Sequence, residues 1–170
     1  MATENRYSIA VIVLHWATAG LVVTAYLLSE GGSDLRTDPP RWHFIVGLAV
    51  LALVIPRLLA RWLRPVPQAL TGSALIDAAA RWGHIILYVL LVAVPLSGWY
   101  VMSRIGVSLS IFGVRLPALT YAVEGSAGPV AELHQVAGNV LLILAGLHAA
   151  MALWHHLIRR DGTLRRISPF

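Results

Sequence analysis

Four long apolar segments alternate with polar segments along this chain of 170 residues. A helix needs roughly 20 apolar residues to cross the hydrocarbon core of a bilayer, and each apolar segment is about that long. The polar segments between them are rich in Gly, Pro, Asp and Arg, which is typical of loops. The pattern predicts four membrane-spanning helices at about residues 8–28, 40–59, 78–102 and 130–158.

The composition agrees with a membrane protein and excludes several cofactor types. Hydrophobic residues make up 58% of the chain and charged residues 12%, with a mean hydropathy of +0.73. A soluble domain carries roughly 25% charged residues. The chain has no cysteine, which excludes disulfides, thiolate-bound zinc, iron–sulfur clusters and covalently attached haem. We expect an all-α membrane protein in which residues 1–170 form one four-transmembrane-helix bundle.

The positive charge of the chain comes from thirteen arginines, and it is unevenly distributed between the two predicted sides. Loops rich in arginine stay in the cytoplasm, which predicts that both termini are cytoplasmic. The net charge of +5 therefore needs no nucleic-acid partner. Nine arginines lie on the side of the termini: Arg6, Arg57, Arg61, Arg64, Arg81, Arg159, Arg160, Arg165 and Arg166. The other side has Arg36, Arg41, Arg104 and Arg115.

Three histidines lie along one stripe of the fourth predicted helix. Fourteen residues separate His134 from His148, which brings the two side chains within ~40° of each other and ~21 Å apart along the axis. His155 follows seven residues later on the same stripe. An ionisable group in a membrane helix is costly unless it is paired, and a neutral imidazole can bind iron. Two imidazoles on facing helices could hold a haem between them.

The depths of four histidines predict two ligand pairs. Counted from the cytoplasmic side, His15 and His148 lie ~10 and ~15 Å into their helices. Counted from the other side, His43 and His134 each lie within about five residues of the helix start. The two pairs are ~20 Å apart, which disfavours a single four-ligand zinc site. His84, in contrast, is predicted to have no histidine partner at its depth.

Glycines accompany each of the four histidines. Gly47 and Gly138 follow His43 and His134 by about one helical turn, whereas Gly20 and Gly146 lie near His15 and His148. Small residues allow close approach of another helix or of a flat macrocycle. Each glycine alone fits plain helix packing equally well, and only the combination with paired histidines favours porphyrin faces.

The remaining histidines lie near the predicted cytoplasmic surface. His155 is either a polar residue that reaches the interface from the helix end or a proton-donating group beside the inner pair. His156 is turned ~80° from the stripe and is the weaker candidate.

Motifs across nearly the whole chain resemble the prokaryotic cytochrome b-561 family, small four-helix di-haem cytochromes that include superoxide oxidases. The most specific is ELHQVAGNVLLILAGLHAAMALWHH in the fourth segment. Supporting motifs are RYSIAVIVLHW, the His43 start of the second segment with VIPRLLARW after it, RWGHIILYVLLVAVPLSGW and the terminal DGTLRRISP.

The resemblance implies an oxidoreductase of the bacterial inner membrane that transfers electrons from superoxide to ubiquinone. It implies that His15 and His148 ligate one haem b through its iron, and that His43 and His134 ligate the other. Superoxide would deliver electrons to the outer haem, and ubiquinone would accept them near the inner haem. His155 falls where the family has a histidine at the quinone site. Arg81, where we expect a histidine in the family, is a further candidate for cofactor contact.

Two predicted tasks follow from this electron path. Quinone reduction takes up protons, and we predict that His155 and His84 are catalytic residues that supply them, because both carry titratable imidazoles. Superoxide is an anion, and the four arginines on the outer side could raise its local concentration by electrostatic steering. The same arginines could instead neutralise haem propionates.

Three classes of function remain compatible with the sequence. The first is a self-contained superoxide–ubiquinone oxidoreductase, and the second is a quinone-reducing haem b subunit that anchors a hydrogenase or dehydrogenase. The third is a haem-free transporter or structural membrane protein. The chain has no large soluble loop as a docking platform, which favours the first class and predicts no obligatory soluble protein partner.

Overall fold

The computed structural model contains four long helices. It describes residues 6–29, 35–63, 74–108, 110–111, 113–125 and 127–169. The helices are α1 (Ile9–Leu27), α2 (Arg41–Leu63), α3 (Ala74–Arg104) and α4 (Pro129–Trp154), and a π-helix, His155–Arg159, continues α4. Each of the four is long and apolar enough to cross a membrane, which confirms the predicted four-helix membrane bundle.

Local signals explain where two of the helices begin. The Ser8 side chain caps α1 by accepting a hydrogen bond from the backbone N–H of Val11. Pro129 opens α4, a position where the missing N–H of proline costs nothing. Gly128 precedes it with a φ of 72°, a conformation that favours glycine.

Helices α2 and α3 extend beyond their predicted bounds on the side of the termini. Helix α2 continues to Leu63 rather than residue 59, and α3 begins at Ala74 rather than residue 78. Arginine is a good helix former, and its long side chain can reach polar surroundings. Charge therefore ends the apolar run without ending the helix, so that Arg61, which lies beyond the predicted bound at residue 59, is helical. Residues 64–73, which include most of the segment between the second and third predicted helices, lie outside the described residues.

The helices pack unequally around the bundle. Helix α1 packs against α2, α2 against α3, and α3 against α4, whereas α4 makes few contacts with α1 or α2. Two buried apolar clusters hold the packed faces together: Phe44, Val101, Met102, Ile105 and Ala127 form one, and Val50, Val54, Leu91 and Leu141 form the other. Helix α4 is therefore held in the bundle mainly by α3.

The two ends of the bundle differ in their connections. We call the end with residues 105–128 the hairpin end, because two short strands, β1 (Ser110–Ile111) and β2 (Val114–Arg115), pair there in antiparallel fashion. The opposite end, with residues 6–8 and 160–169, is the termini end. There the backbone N–H of Tyr7 donates to the Arg166 carbonyl over 3.0 Å, and the Trp16 indole N–H donates to the Ile167 carbonyl over 2.8 Å.

Candidate cofactor sites

At the hairpin end, His43 of α2 and His134 of α4 face each other. Their ring centroids are 5.8 Å apart, and both side chains are partly buried. Nδ1 of His43 lies 2.7 Å from the Ala25 carbonyl oxygen. Because a carbonyl can only accept, Nδ1 carries the proton and Nε2 has the free lone pair. Such an outer hydrogen bond fixes the tautomer of a metal-binding histidine.

Helix α3 supports His134 from the other side. Nδ1 of His134 lies 3.0 Å from both the Val94 carbonyl oxygen and the Ser97 hydroxyl. A Cβ atom built on Gly98 would lie 2.9 Å from Cε1 of His134, so only glycine leaves room for the imidazole at this contact. The sequence analysis missed Gly98, and its one signal was a glycine three residues after Pro95, next to the bulky Trp99.

At the termini end, His15 of α1 and His148 of α4 form the second pair, with ring centroids 6.3 Å apart. A third histidine joins them, because the ring of His84 lies 5.1 Å from that of His148. Nδ1 of His84 donates to the Ala80 carbonyl over 2.6 Å. The prediction that His84 lacks a histidine partner is therefore wrong. The predicted helix started at about residue 78, which placed His84 close to the helix end. Helix α3 starts at Ala74 instead, so His84 lies ten residues into the helix.

An arginine also enters this polar cluster. A guanidinium nitrogen of Arg57 lies 2.9 Å from Nδ1 of His15, and the guanidinium carbon lies 5.4 Å from the centroid of the Tyr88 ring. Arginine can only donate, so Nδ1 of His15 accepts, and the neutral ring carries its proton on Nε2. A bond from that Nε2 to a metal and this Arg57 hydrogen bond are mutually exclusive. Metal binding by His15 through Nε2 therefore requires Arg57 to find another acceptor.

The residues of both pairs fit a bis-histidine metal centre. Two imidazoles bound to opposite sides of one metal ion, at about 2.0 Å each, have ring centroids roughly 6 Å apart. Both pairs match this separation, and both join α4 to helices with which it makes few contacts. A Cβ atom built on Gly20, Gly47, Gly138 or Gly146 would meet no atom within 4 Å. The glycines near the pairs therefore do not serve helix packing, and they fit the face of a flat macrocycle.

A zinc cluster finds no support in the described part of the chain. No group of three or more His, Cys, Asp or Glu side chains there is arranged to hold a metal ion. The histidines at the termini end come as ring pairs, which suits a ligand with two axial positions better than a tetrahedral ion.

His155 lies in the π-helix beyond this cluster and is buried. Its Nδ1 donates to Oδ2 of Asp161 over 2.5 Å. Desolvation raises the pKa of Asp161, but hydrogen bonds from Thr163 and His155 outweigh it and hold that pKa below its ordinary value. The carboxylate is thus charged at neutral pH. His156 is partly buried, and Arg81 is exposed in the first turns of α3.

The four arginines of the hairpin end fall into two groups. Arg36 donates to the carbonyl oxygens of Val123 and Gly125, and the Arg104 guanidinium lies 5.8 Å from the centroid of the Tyr121 ring, so both hold the connection between α3 and α4 in place. Arg41, two residues before His43, and Arg115, in β2, are exposed. Arg41 and Arg115 are therefore the better candidates for attracting a dissolved anion.

Comparison with known proteins finds relatives over nearly the whole chain. The chain is 32% identical to a probable superoxide oxidase CybB of Yersinia pestis, with 98% of this chain and 97% of the relative covered. It is 30% identical to cytochrome b561 homolog 2 of Escherichia coli K12, covering 97% and 92% of the two chains. It is also 32% identical to a cytochrome b562 of Cereibacter sphaeroides, with 98% of each chain covered.

The family comparison covers nearly the whole chain. A family model described as prokaryotic cytochrome b561 matches residues 6–169, which include all four helices and every histidine discussed above. The chain therefore belongs to the prokaryotic cytochrome b561 family, whose members are membrane electron-transfer proteins that bind b-type haem.

Proposed function

We propose that this protein is a di-haem oxidoreductase that takes electrons from superoxide and passes them through two haems b to ubiquinone. One observation carries the proposal: α4 presents His134 and His148, ~21 Å apart along its axis, to one histidine each on α2 and α1. His15 and His148 would hold one haem, and His43 and His134 the other. The name of the Yersinia pestis relative, probable superoxide oxidase, supports this choice of electron donor.

The chain's own residues would do the binding, orienting and proton handling. Bound haem supplies one-electron redox chemistry, which no side chain here offers. The imidazoles would hold the haem iron, and the hydrogen bonds that Nδ1 of His43 and His134 donate to backbone carbonyls would leave Nε2 free to bind it. The open glycines would let the macrocycle lie against the helix backbone.

The two ends would have different substrates. Superoxide is an anion, and the exposed Arg41 and Arg115 would raise its concentration near the His43–His134 pair. Ubiquinone reduction takes up two electrons and two protons, and His155 and His84 would hold protons for it at the termini end. Arg81, exposed on α3, is a further candidate for quinone contact.

The arginine distribution supports an orientation in the bacterial inner membrane. More arginines belong to the termini end than to the hairpin end, and arginine-rich ends stay in the cytoplasm. The hairpin end would then face the periplasm, and the quinone site would take its protons from the cytoplasm.

Stopped-flow spectroscopy of the purified protein tests the donor. Mixing oxidised protein with superoxide should reduce the haems, seen as growth of the b-type alpha band, and superoxide dismutase should abolish the signal. Reduced haem should then be reoxidised by ubiquinone-1. Haem that superoxide does not reduce, but that a soluble dehydrogenase or hydrogenase partner does, would instead identify a partner-dependent electron-transfer subunit.

The acceptor is tested by His155→Ala with His156→Ala as its matched control. Loss of a proton donor typically costs a hundredfold or more in rate, and even a partly replaced donor should slow reoxidation by ubiquinone about tenfold. Reduction by superoxide should be unchanged, because His155 is not among the proposed ligands. Normal reoxidation in the His155→Ala protein would move the quinone site to Arg81 and His84.

A further inference from the structure

The chain makes a tight corner immediately after His155. The π-helix ends at Arg159, and Arg160 takes a left-handed conformation with a φ of 52°, followed by Gly162 with a φ of 79°. The backbone N–H groups of Arg160 and Asp161 both point back to the His155 carbonyl, the second over 3.4 Å. Single turns of π-helix occur frequently at functional sites. The corner brings the Asp161 side chain back onto His155.

The two carboxylate oxygens of Asp161 have separate partners. Oδ2 accepts from Nδ1 of His155 over 2.5 Å. Oδ1 accepts from the backbone N–H and the hydroxyl of Thr163, over 3.0 and 2.7 Å. The Arg159 guanidinium lies 4.0 Å from Oδ2. Thr163 therefore fixes the carboxylate through one oxygen so that the other faces the imidazole.

This arrangement determines which nitrogen of His155 exchanges a proton. A carboxylate can only accept, so Nδ1 keeps its proton and Nε2 is the nitrogen that gains or loses one. A carboxylate that holds a histidine in one tautomer in this way is part of many catalytic sites. We infer that Asp161 is a positioning residue for quinone reduction, because it fixes the Nδ1 proton of His155 and leaves Nε2 to protonate the quinone oxygen. The inference rests on the proposed role of His155.

The proton balance of this step is simple. Doubly protonated His155 gives the Nε2 proton to a quinone oxygen that has received its electrons through the proposed haem path. The ring is left neutral, with its Nδ1 proton still bound to Asp161. Water at the termini end returns a proton to Nε2, so His155 can act again for the second of the two protons that quinol formation needs.

Asp161→Asn separates this role from a merely structural one. The amide has almost the shape of the carboxylate, and its oxygen would accept from the two Thr163 donors. Its NH2 group would then face Nδ1 of His155 and donate to it, which places the ring proton on Nε2 instead. A structural contact would survive this substitution, whereas the tautomer would not.

The experiment measures single-turnover reoxidation of haem by ubiquinone-1, together with nitrogen-15 NMR of the histidine rings. Asp161→Asn should slow reoxidation about tenfold, leave reduction by superoxide unchanged and move the neutral-state proton of His155 to Nε2. Asp161→Asn should cause no further loss in a His155→Ala background, because both changes remove the same step. Thr163→Val keeps the carboxylate on Nδ1 and should retain the wild-type tautomer, and Asp38→Asn at the hairpin end is the matched control.

Each other outcome overturns a defined part of the account. Wild-type reoxidation in Asp161→Asn, an unchanged tautomer, or an equal loss in the His155→Ala background would overturn the role of Asp161. A loss in Thr163→Val as large as that in Asp161→Asn, with the Nδ1 tautomer retained, would assign the effect to the corner instead. Normal reoxidation in His155→Ala alone would reject the proposed role of His155, and this inference with it.

Discussion

The hairpin end and the termini end each bring two histidines face to face, but they surround the pairs with different chemistry. At the hairpin end, Nδ1 of each histidine meets a backbone carbonyl, and an apolar cluster that includes Phe44 and Met102 packs nearby. At the termini end, the His15–His148 pair is joined by His84 and Arg57, and the His155–Asp161 corner follows on the same chain segment.

This difference matches the two half-reactions of the proposed function. Oxidation of superoxide releases one electron and no proton, so the hairpin end needs only ligands and an attraction for an anion. Quinone reduction takes up protons, so the other end needs titratable groups. Among the described residues, the additional histidines and the Asp161 carboxylate that accepts from His155 occur at the end where the proton chemistry is expected.

The largest expected effect comes from removing a proposed ligand at one end. His134→Ala and His148→Ala alter the same helix at opposite ends, and each should halve the ratio of haem to protein. The remaining haem should keep its spectrum, because its ligands lie ~20 Å away. Pyridine haemochromogen assays with circular dichroism check both. Loss of both haems from each folded variant would show that the two ends are not independent.

A weaker effect, on haem retention at the hairpin end, is expected from adding one methyl group to α3 at Gly98. Gly98→Ala would put a Cβ 2.9 Å from Cε1 of His134, whereas Gly83→Ala on the same helix would meet no atom within 4 Å. Such overpacking typically costs about 1–3 kcal/mol, so haem at the hairpin end should dissociate about tenfold more readily. Haem release in detergent, followed by absorbance, measures this. Equal haem retention in both variants would remove Gly98 from the site.

A several-fold effect is expected from the exposed arginines of the hairpin end. Arg41→Gln with Arg115→Gln should slow haem reduction by superoxide at low salt and change it little at high salt, because charges are screened over ~10 Å at 0.1 M. Arg159→Gln at the termini end serves as the control. A wild-type rate that does not vary with ionic strength would contradict steering.

The smallest effect should appear in the reduction potentials. Arg57→Gln removes a positive charge beside His15, and a nearby cation favours the reduced form of iron. The potential of the termini-end haem should fall by on the order of 50 mV, while that of the other haem stays constant. Spectroelectrochemical titration resolves the two. A shift of both potentials by the same amount would indicate a global change rather than a local charge effect.

The sequence predicted depth well and contacts around the helix axis poorly. A rise of 1.5 Å per residue converts sequence position into depth, which is enough to match His15 with His148 and His43 with His134. The rotation of one helix against another is set by packing, so the neighbours of His84 and Arg57 could not be read from spacing. Hydropathy also ended α2 too early and started α3 too late, because it detects the bilayer-length run rather than the helix.

The local backbone and side-chain contacts around the site could not be predicted from the sequence either. The left-handed Arg160 that returns Asp161 to His155 has no clear sequence signal, because a non-glycine residue rarely adopts that conformation. Among the glycines of the four helices, only Gly98 lies against another side chain, that of His134, and the sequence does not show that contact.

The haem content and spin state of the wild-type protein test the central claim most directly. Two histidine pairs at two levels predict two haems b per chain, both six-coordinate and low-spin, with two distinct low-spin signals in electron paramagnetic resonance. A single haem per chain in fully loaded protein, or a high-spin signal from a haem with one axial ligand, would contradict the assignment of both pairs.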